Sequence, residues 1–200
     1  MLIFKKKHLL VGVCWSFLLL SCHSEVYTPK PRGYFRIDLP KKSYRVFDEP
    51  GYPYSFEYPS YATVEKDTVF FNEKPENPYW INIDFPQFKG KIYLSYKVIG
   101  TKYSLKQLVN DAYEMTYKNT VKADAIVPVE FSTTNHVGGL FYNVKGNAAT
   151  ARQFFATDST LHFLRGALYF YAVPNADSLR PVIQFVTADM WHMLETLKWK

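Results

Sequence analysis

The stretch PYWINIDFPQFKGKIYLSYKV, residues 78–98, followed by SLKQLVNDAYEMTYKNT, residues 104–120, sets the fold class. In the first part Tyr79, Ile81, Ile83 and Phe85 alternate with Trp80, Asn82 and Asp84. Ile92, Leu94, Tyr96 and Val98 alternate with Tyr93, Ser95 and Lys97. A period of two places one set inward and the other outward, as in half-buried strands. PQFKG, residues 86–90, is the expected connection of a hairpin. The period then changes. Leu105, Leu108, Val109, Ala112, Met115 and Thr116 recur at helical spacing, and Ser104 with Gln107 forms a capping box. A helix is expected at about 104–120.

Working toward the C-terminus, residues 125–173 return to strand character. Turns are expected at Gly138-Gly139 and Gly146-Asn147, and at Asp158-Ser159-Thr160 between TARQFFAT and LHFLRGALYFYAV. Leu179, Val182, Ile183, Val186, Met190, Met193, Leu194 and Leu197 then draw one apolar stripe. It predicts a closing helix at about 178–198, capped by Asp177 or Ser178, with Pro181 in the first turn, where a missing N–H costs nothing. Strands, helix, strands, helix give an α+β fold: a largely antiparallel sheet packed by two main helices. The element order is similar to the PsbP-like extrinsic photosystem proteins.

Working toward the N-terminus, the chain opens MLIFKKKHLLVGVCWSFLLLSC. Lys5, Lys6 and Lys7 precede an apolar stretch from Leu9 to Leu20. That length suits an export signal and is short of the roughly 20 residues a membrane span needs. Leu19-Leu20-Ser21-Cys22 resembles a bacterial lipobox. Such signals imply cleavage before Cys22, a diacylglycerol on its thiol and an acylated new amine, with several chains anchoring far better than one. Residues 1–21 are therefore expected to be a signal peptide, 22–36 a Pro-rich basic tether, and 37–200 one globular α+β domain.

Processing changes the composition. Cys14 leaves with the signal and Cys22 carries lipid, so no thiol remains for a disulfide, a zinc site or a nucleophile. The net charge of +6 falls to +3 once Lys5–Lys7 are removed. An exported lipoprotein does not meet nucleic acid, and none is expected as partner. From Thr28 to Arg45 lie Lys30, Arg32, Arg36, Lys41, Lys42 and Arg45 against Asp38 alone. Two readings stand here: contact with anionic headgroups beside the anchor, or a solvated spacer stiffened by Pro29 and Pro31. Glu25 is the lone acid just after Cys22, and no Asp adjoins it. The expected address is the periplasmic leaflet of the outer membrane, with the inner membrane as the other choice.

Candidates for chemistry are sparse. His23, His136, His162 and His192 show no paired metal spacing, although His192 and Glu195 share a helix face. Asp38 in FRIDLP and Asp84 in INIDFP would serve a glycosidase only if they faced each other across a cleft. Tyr44, Tyr52, Tyr54, Tyr58 and Tyr61, with Phe47 and Phe56, read as strand residues of a small core in preference to a sugar-stacking platform. No catalytic residue, metal or cofactor is expected.

The lipobox Cys22, YTPKPRGYFRIDLP, PYWINIDFP, IYLSYK and DMWHMLETLKW together resemble the GldD family of gliding-motility lipoproteins from Bacteroidetes. The resemblance implies a lipid-anchored envelope protein required for gliding, a process tied to the type IX secretion apparatus. It implies no catalytic residue, and only Cys22 carries over, as the lipid site. The expected role is a non-enzymatic accessory or assembly factor whose partners are other gliding and secretion proteins of the envelope. The competing expectation is a peptidoglycan- or glycan-binding module or hydrolase of the periplasm.

Overall fold

A computed structural model describes residues 36–68 and 75–200. Arg36–Lys200 forms one compact unit. The signal, Cys22 and most of the basic tether lie outside the described residues. The described elements are β1 (Tyr44–Phe47), β2 (Tyr54–Pro59), β3 (Thr63–Lys66), β4 (Ile81–Phe85), β5 (Gly90–Val98), α1 (Leu105–Tyr117), β6 (Ala123–Ser132), β7 (Gly138–Gly146), β8 (Thr150–Thr157), β9 (His162–Phe170), α2 (Ala176–Thr196) and β10 (Lys198–Trp199). Seven strands form one sheet in the order β3-β4-β5-β9-β8-β7-β6, and three form a second in the order β1-β2-β10. Every pairing is antiparallel.

The β4–β5 hairpin forms as its alternation requires. Phe85 pairs with Gly90, and one short 3₁₀ turn, Pro86–Phe88, joins the strands. Lys89 closes it at a φ of 48°. Ser104 caps α1 by accepting from the Gln107 N–H at 3.2 Å. The helix ends at Tyr117, earlier than expected, and passes into a 3₁₀ turn at Lys118–Val121. There the Asn119 side chain donates to the Thr116 carbonyl at 3.0 Å, taking up one of the acceptors left free at the helix end.

Three details correct the sequence reading. Gly138-Gly139 is not a turn but the start of β7. The chain reverses just before it, where the His136 N–H meets the Thr133 carbonyl at 3.2 Å and His136 takes a φ of 58°. Glycine is needed at 139 because any Cβ would strike the Phe155 carbonyl of the adjoining strand. Next, α2 starts at Ala176, and its cap is Asn175, whose Oδ1 accepts from the Ser178 N–H at 3.1 Å. Asp177 instead pairs with Arg180 inside the first turn, where a carboxylate complements the helix dipole. This earlier start moves Pro181 into the second turn. Finally, α2 stops at Thr196 because Lys198 and Trp199 peel away to pair with Ser55 and Tyr54 of β2.

The large sheet is buried on both faces. On one face Leu108 and Ala112 of α1 pack on Tyr142, Phe155 and Phe163. The other face carries Phe141, Phe154, Leu164, Leu168, Ile92, Leu94 and Tyr96. These meet α2 and the small sheet through Val186, Met190, Met193, Leu194, Phe47, Tyr54 and Phe56. The parity of β7 and β8 explains the division: Phe141 and Phe154 face one side, Tyr142 and Phe155 the other. Each large side chain buried this way contributes about 1.5–3 kcal/mol, so no disulfide is needed to hold the layers. Among the described residues no helix is long and apolar enough to cross a membrane.

Candidate functional site

One carboxylate interrupts the buried stripe of α2. Asp189 is 1% exposed and lies among Val186, Met190 and Met193. A charge taken out of water at that depth must be paired. Its partners come from the first described residues of the chain and from the loop after β2. Lys42 Nζ donates to Asp189 Oδ1 at 2.6 Å and to the Phe185 carbonyl at 2.7 Å, and lies 3.9 Å from the centre of the Phe185 ring. The Tyr44 hydroxyl donates to Oδ1 at 3.0 Å, and the Tyr61 hydroxyl donates to Oδ2. Burial and the hydrogen bond to Asp189 push the Tyr44 phenol up to about 12 and raise Tyr61 as well. Both remain neutral donors throughout the physiological range.

The cluster extends sideways along the helix. The Tyr44 ring stacks on His192 at 3.6 Å, and His192 Nε2 meets Glu57 Oε2 of β2 at 2.6 Å. Thr196 Oγ1 accepts from the Glu57 N–H at 3.0 Å. A band of polar contacts thus fastens the small sheet to α2. Both Asp189 oxygens are occupied by a cation and two phenols, so the carboxylate is held in place and is not poised as a general base.

The sequence candidates fall in separate places. Asp38 is exposed and pairs with Arg36 at 3.0 Å, whereas Asp84 sits 3.6 Å from Lys91 in the large sheet. His192 turns to Glu57 and does not share a ligand with Glu195. His136 is exposed in its turn. His162 is buried, with Nδ1 2.7 Å from the Tyr96 hydroxyl and its ring stacked on Trp199 at 5.1 Å. His23 lies outside the described residues. No group of three or more His, Cys, Asp or Glu side chains that could hold a metal occurs among the described residues. Of the aromatic series, Phe47, Tyr54 and Phe56 are core, Tyr52, Tyr58 and Tyr61 pack against it, and Tyr44 joins the Asp189 cluster.

The basic tract is also altered by folding. Lys42 is drawn inward, Arg36 is tied to Asp38, and Arg45 donates to the Ala62 carbonyl at 2.9 Å beneath the Tyr58 ring. Sequence reasoning missed Asp189 and Lys42 as partners. The available signal was an Asp in phase with Val186, Met190 and Met193, which demands a cation from elsewhere in the chain.

These observations define an α+β domain of two antiparallel sheets and two helices whose polar residues mostly fasten its own layers. The solution structure of cyanobacterial PsbP (CyanoP) from Synechocystis sp. PCC 6803 is similar over 81% of this chain and 95% of its own, with a TM-score of 0.44 and 10% identity. No curated protein matches the chain. The family model for the gliding motility lipoprotein GldD matches residues 24–199, and the chain belongs to that family. Membership makes it a lipid-anchored protein of the cell envelope with a role in gliding motility.

Proposed function

We propose that the protein is a non-catalytic accessory or assembly factor of the gliding and type IX secretion machinery, held by lipid on Cys22 at the periplasmic face of the outer membrane. The observation that carries this reading is the extent of the family match, which begins two residues after Cys22 and runs to the penultimate residue. The roles of the candidate catalytic groups support it: Asp38, Asp84, His162 and His192 are each engaged in contacts within the fold. The domain would then act through its surface. On β6, an outer strand of the large sheet, Val127 and Val129 are 40% and 39% exposed. Tyr113, Met115 and Val121 are exposed on and just after α1.

Two experiments test the reading. Crosslinking in cells from a photoreactive residue at position 127 should recover motility or secretion proteins. Recovery of cell-wall fragments without such proteins would refute it in favour of glycan binding. Cys22→Ala should abolish labelling by fatty acid and release the protein from the membrane fraction; a variant still labelled would disprove the anchor.

A further inference from the structure

A cavity of about 400 Å³ opens beside the start of α2, between that helix and the β7–β8 end of the large sheet. Its volume falls in the range of small-ligand sites. Its walls are mostly small or apolar: Ala148, Ala151, Phe170, Leu179 and Ile183. Into this lining projects Arg152. Strand alternation puts Arg152 on the same face of β8 as Phe154, the face that α2 covers. Its Nε donates to Thr187 Oγ1 at 3.0 Å and its Nη1 to the Ala151 carbonyl at 2.7 Å, so the side chain is oriented from two directions. Among the described residues no ion pair reaches it. Burial lowers its pKa and no carboxylate offsets that effect. Held this way, the guanidinium keeps Nη2 without a hydrogen-bond partner among the described residues, whereas Arg165, also half-buried and without an ion pair there, spends its Nη2 on Gln153.

We infer that the cavity receives a peptide C-terminus of small residues, with Arg152 binding its carboxylate. The charge of the lining selects a monoanion. Lys145, Arg152 and Arg180 face Asp124 and Asp177, and Arg180 is already paired with Asp177, leaving one net positive charge. A phosphate dianion would need more than one converging cation. A carboxylate matches the planar fork of a single arginine. The alanine-rich walls leave room for methyl-sized side chains behind it, and Gln184 and Asn175 at the edge offer amide partners for the peptide backbone.

The test uses the full-length protein in zwitterionic detergent and fluorescein-labelled Gly-Ala-Ala, read by fluorescence anisotropy. The free carboxylate should bind. The C-terminal amide should bind at least ~10-fold more weakly, as expected on losing a charge-assisted hydrogen bond. Arg152→Gln should weaken the acid to the level of the amide. Should that variant fail to fold, Ala172→Trp decides, because Ala172 is exposed at the mouth; it should block binding with the melting temperature unchanged. Equal binding of acid and amide, no binding of either, or full binding by Ala172→Trp would overturn the proposal. Displacement by butyrate at the concentration at which unlabelled peptide displaces would overturn the peptide assignment in favour of any small acid.

Discussion

Lys42 and Asp189 are unequal partners, and the inequality can be measured. The Asp189 side chain is 1% exposed while that of Lys42 is 31% exposed. Removing one member of a buried pair costs about 3–5 kcal/mol because the other is left charged and dry. Lys42→Met leaves the Asp189 carboxylate with the two phenols but no cation. Those phenols recover part of the loss, so the expected cost is about 2–4 kcal/mol. Asp189→Asn leaves Lys42 near water, where its flexible stem lets the ammonium turn outward, and its amide oxygen still accepts from a phenol. The expected cost is about 1–2 kcal/mol. The double variant should cost less than the sum by about 1–3 kcal/mol, the usual coupling of residues in contact. Urea unfolding of the purified protein, monitored by near-ultraviolet circular dichroism with m held common, supplies all three values. The reasoning fails if Lys42→Met costs under ~0.5 kcal/mol, or if Asp189→Asn is the more damaging single change.

Other consequences concern packing and pH. Gly166 lies between its strand partners Phe154 and Leu94, and a Cβ there would enter the Phe154 ring. Gly166→Ala should therefore destabilise by about 1–3 kcal/mol, and calorimetry showing an unchanged transition would refute that close approach. Asp158 Oδ1 accepts from the N–H groups of Thr160, Leu161 and His162 at 3.0, 2.9 and 2.9 Å. Burial raises its pKa, but these bonds outweigh burial and hold it at about 2 against an ordinary 3.8. Its stabilisation is thus present above pH 3.8 and lost as pH falls toward 2. Asp158→Ala should cost roughly 1–2 kcal/mol at neutral pH after allowance for solvent screening. The gap from the parent protein should narrow as pH falls from 3.8 toward about 2; a gap independent of pH would contradict the assignment. Burial lowers the His162 pKa, with Asp158 opposing, so the unfolded chain takes up a proton there before the folded one does. Stability should fall as pH drops below about 6.5, and His162→Gln should remove that component of the slope in pH-dependent urea titrations.

Local rules account for what was legible in the sequence. The β4–β5 hairpin and the body of α1 follow from periods of two and 3.6 with a serine cap between them, all within about 40 neighbouring residues. The errors came where distant pairing decides. α2 ends early because Trp199 finds Tyr54, and Gly138-Gly139 is extended because the β8 backbone lies against it. The Asp189 cluster joins residues more than a hundred positions apart. Sequence spacing cannot show which of the six cations from Lys30 to Arg45 will be drawn inward. Nor can it show that Arg152 stands at a cavity with no ion pair among the described residues.

The Asp189 clamp also decides how the fold bears tension. β1 is an outer strand of four residues, and a chain drawn from its N-terminal side would open such a ladder one rung at a time. Load arriving along this chain meets other restraints first: Gln87 on the Asp38 carbonyl, then Lys42 on Asp189. Asp189 stands near the middle of a 21-residue helix packed along its length. Pulling would therefore have to break an ion pair anchored on a whole helix before the first rung of β1 parts, and that rung is itself tied to Asp189 through the Tyr44 phenol. The clamp acts as strain relief, like the knot inside a plug that keeps a tugged cord from reaching its terminals.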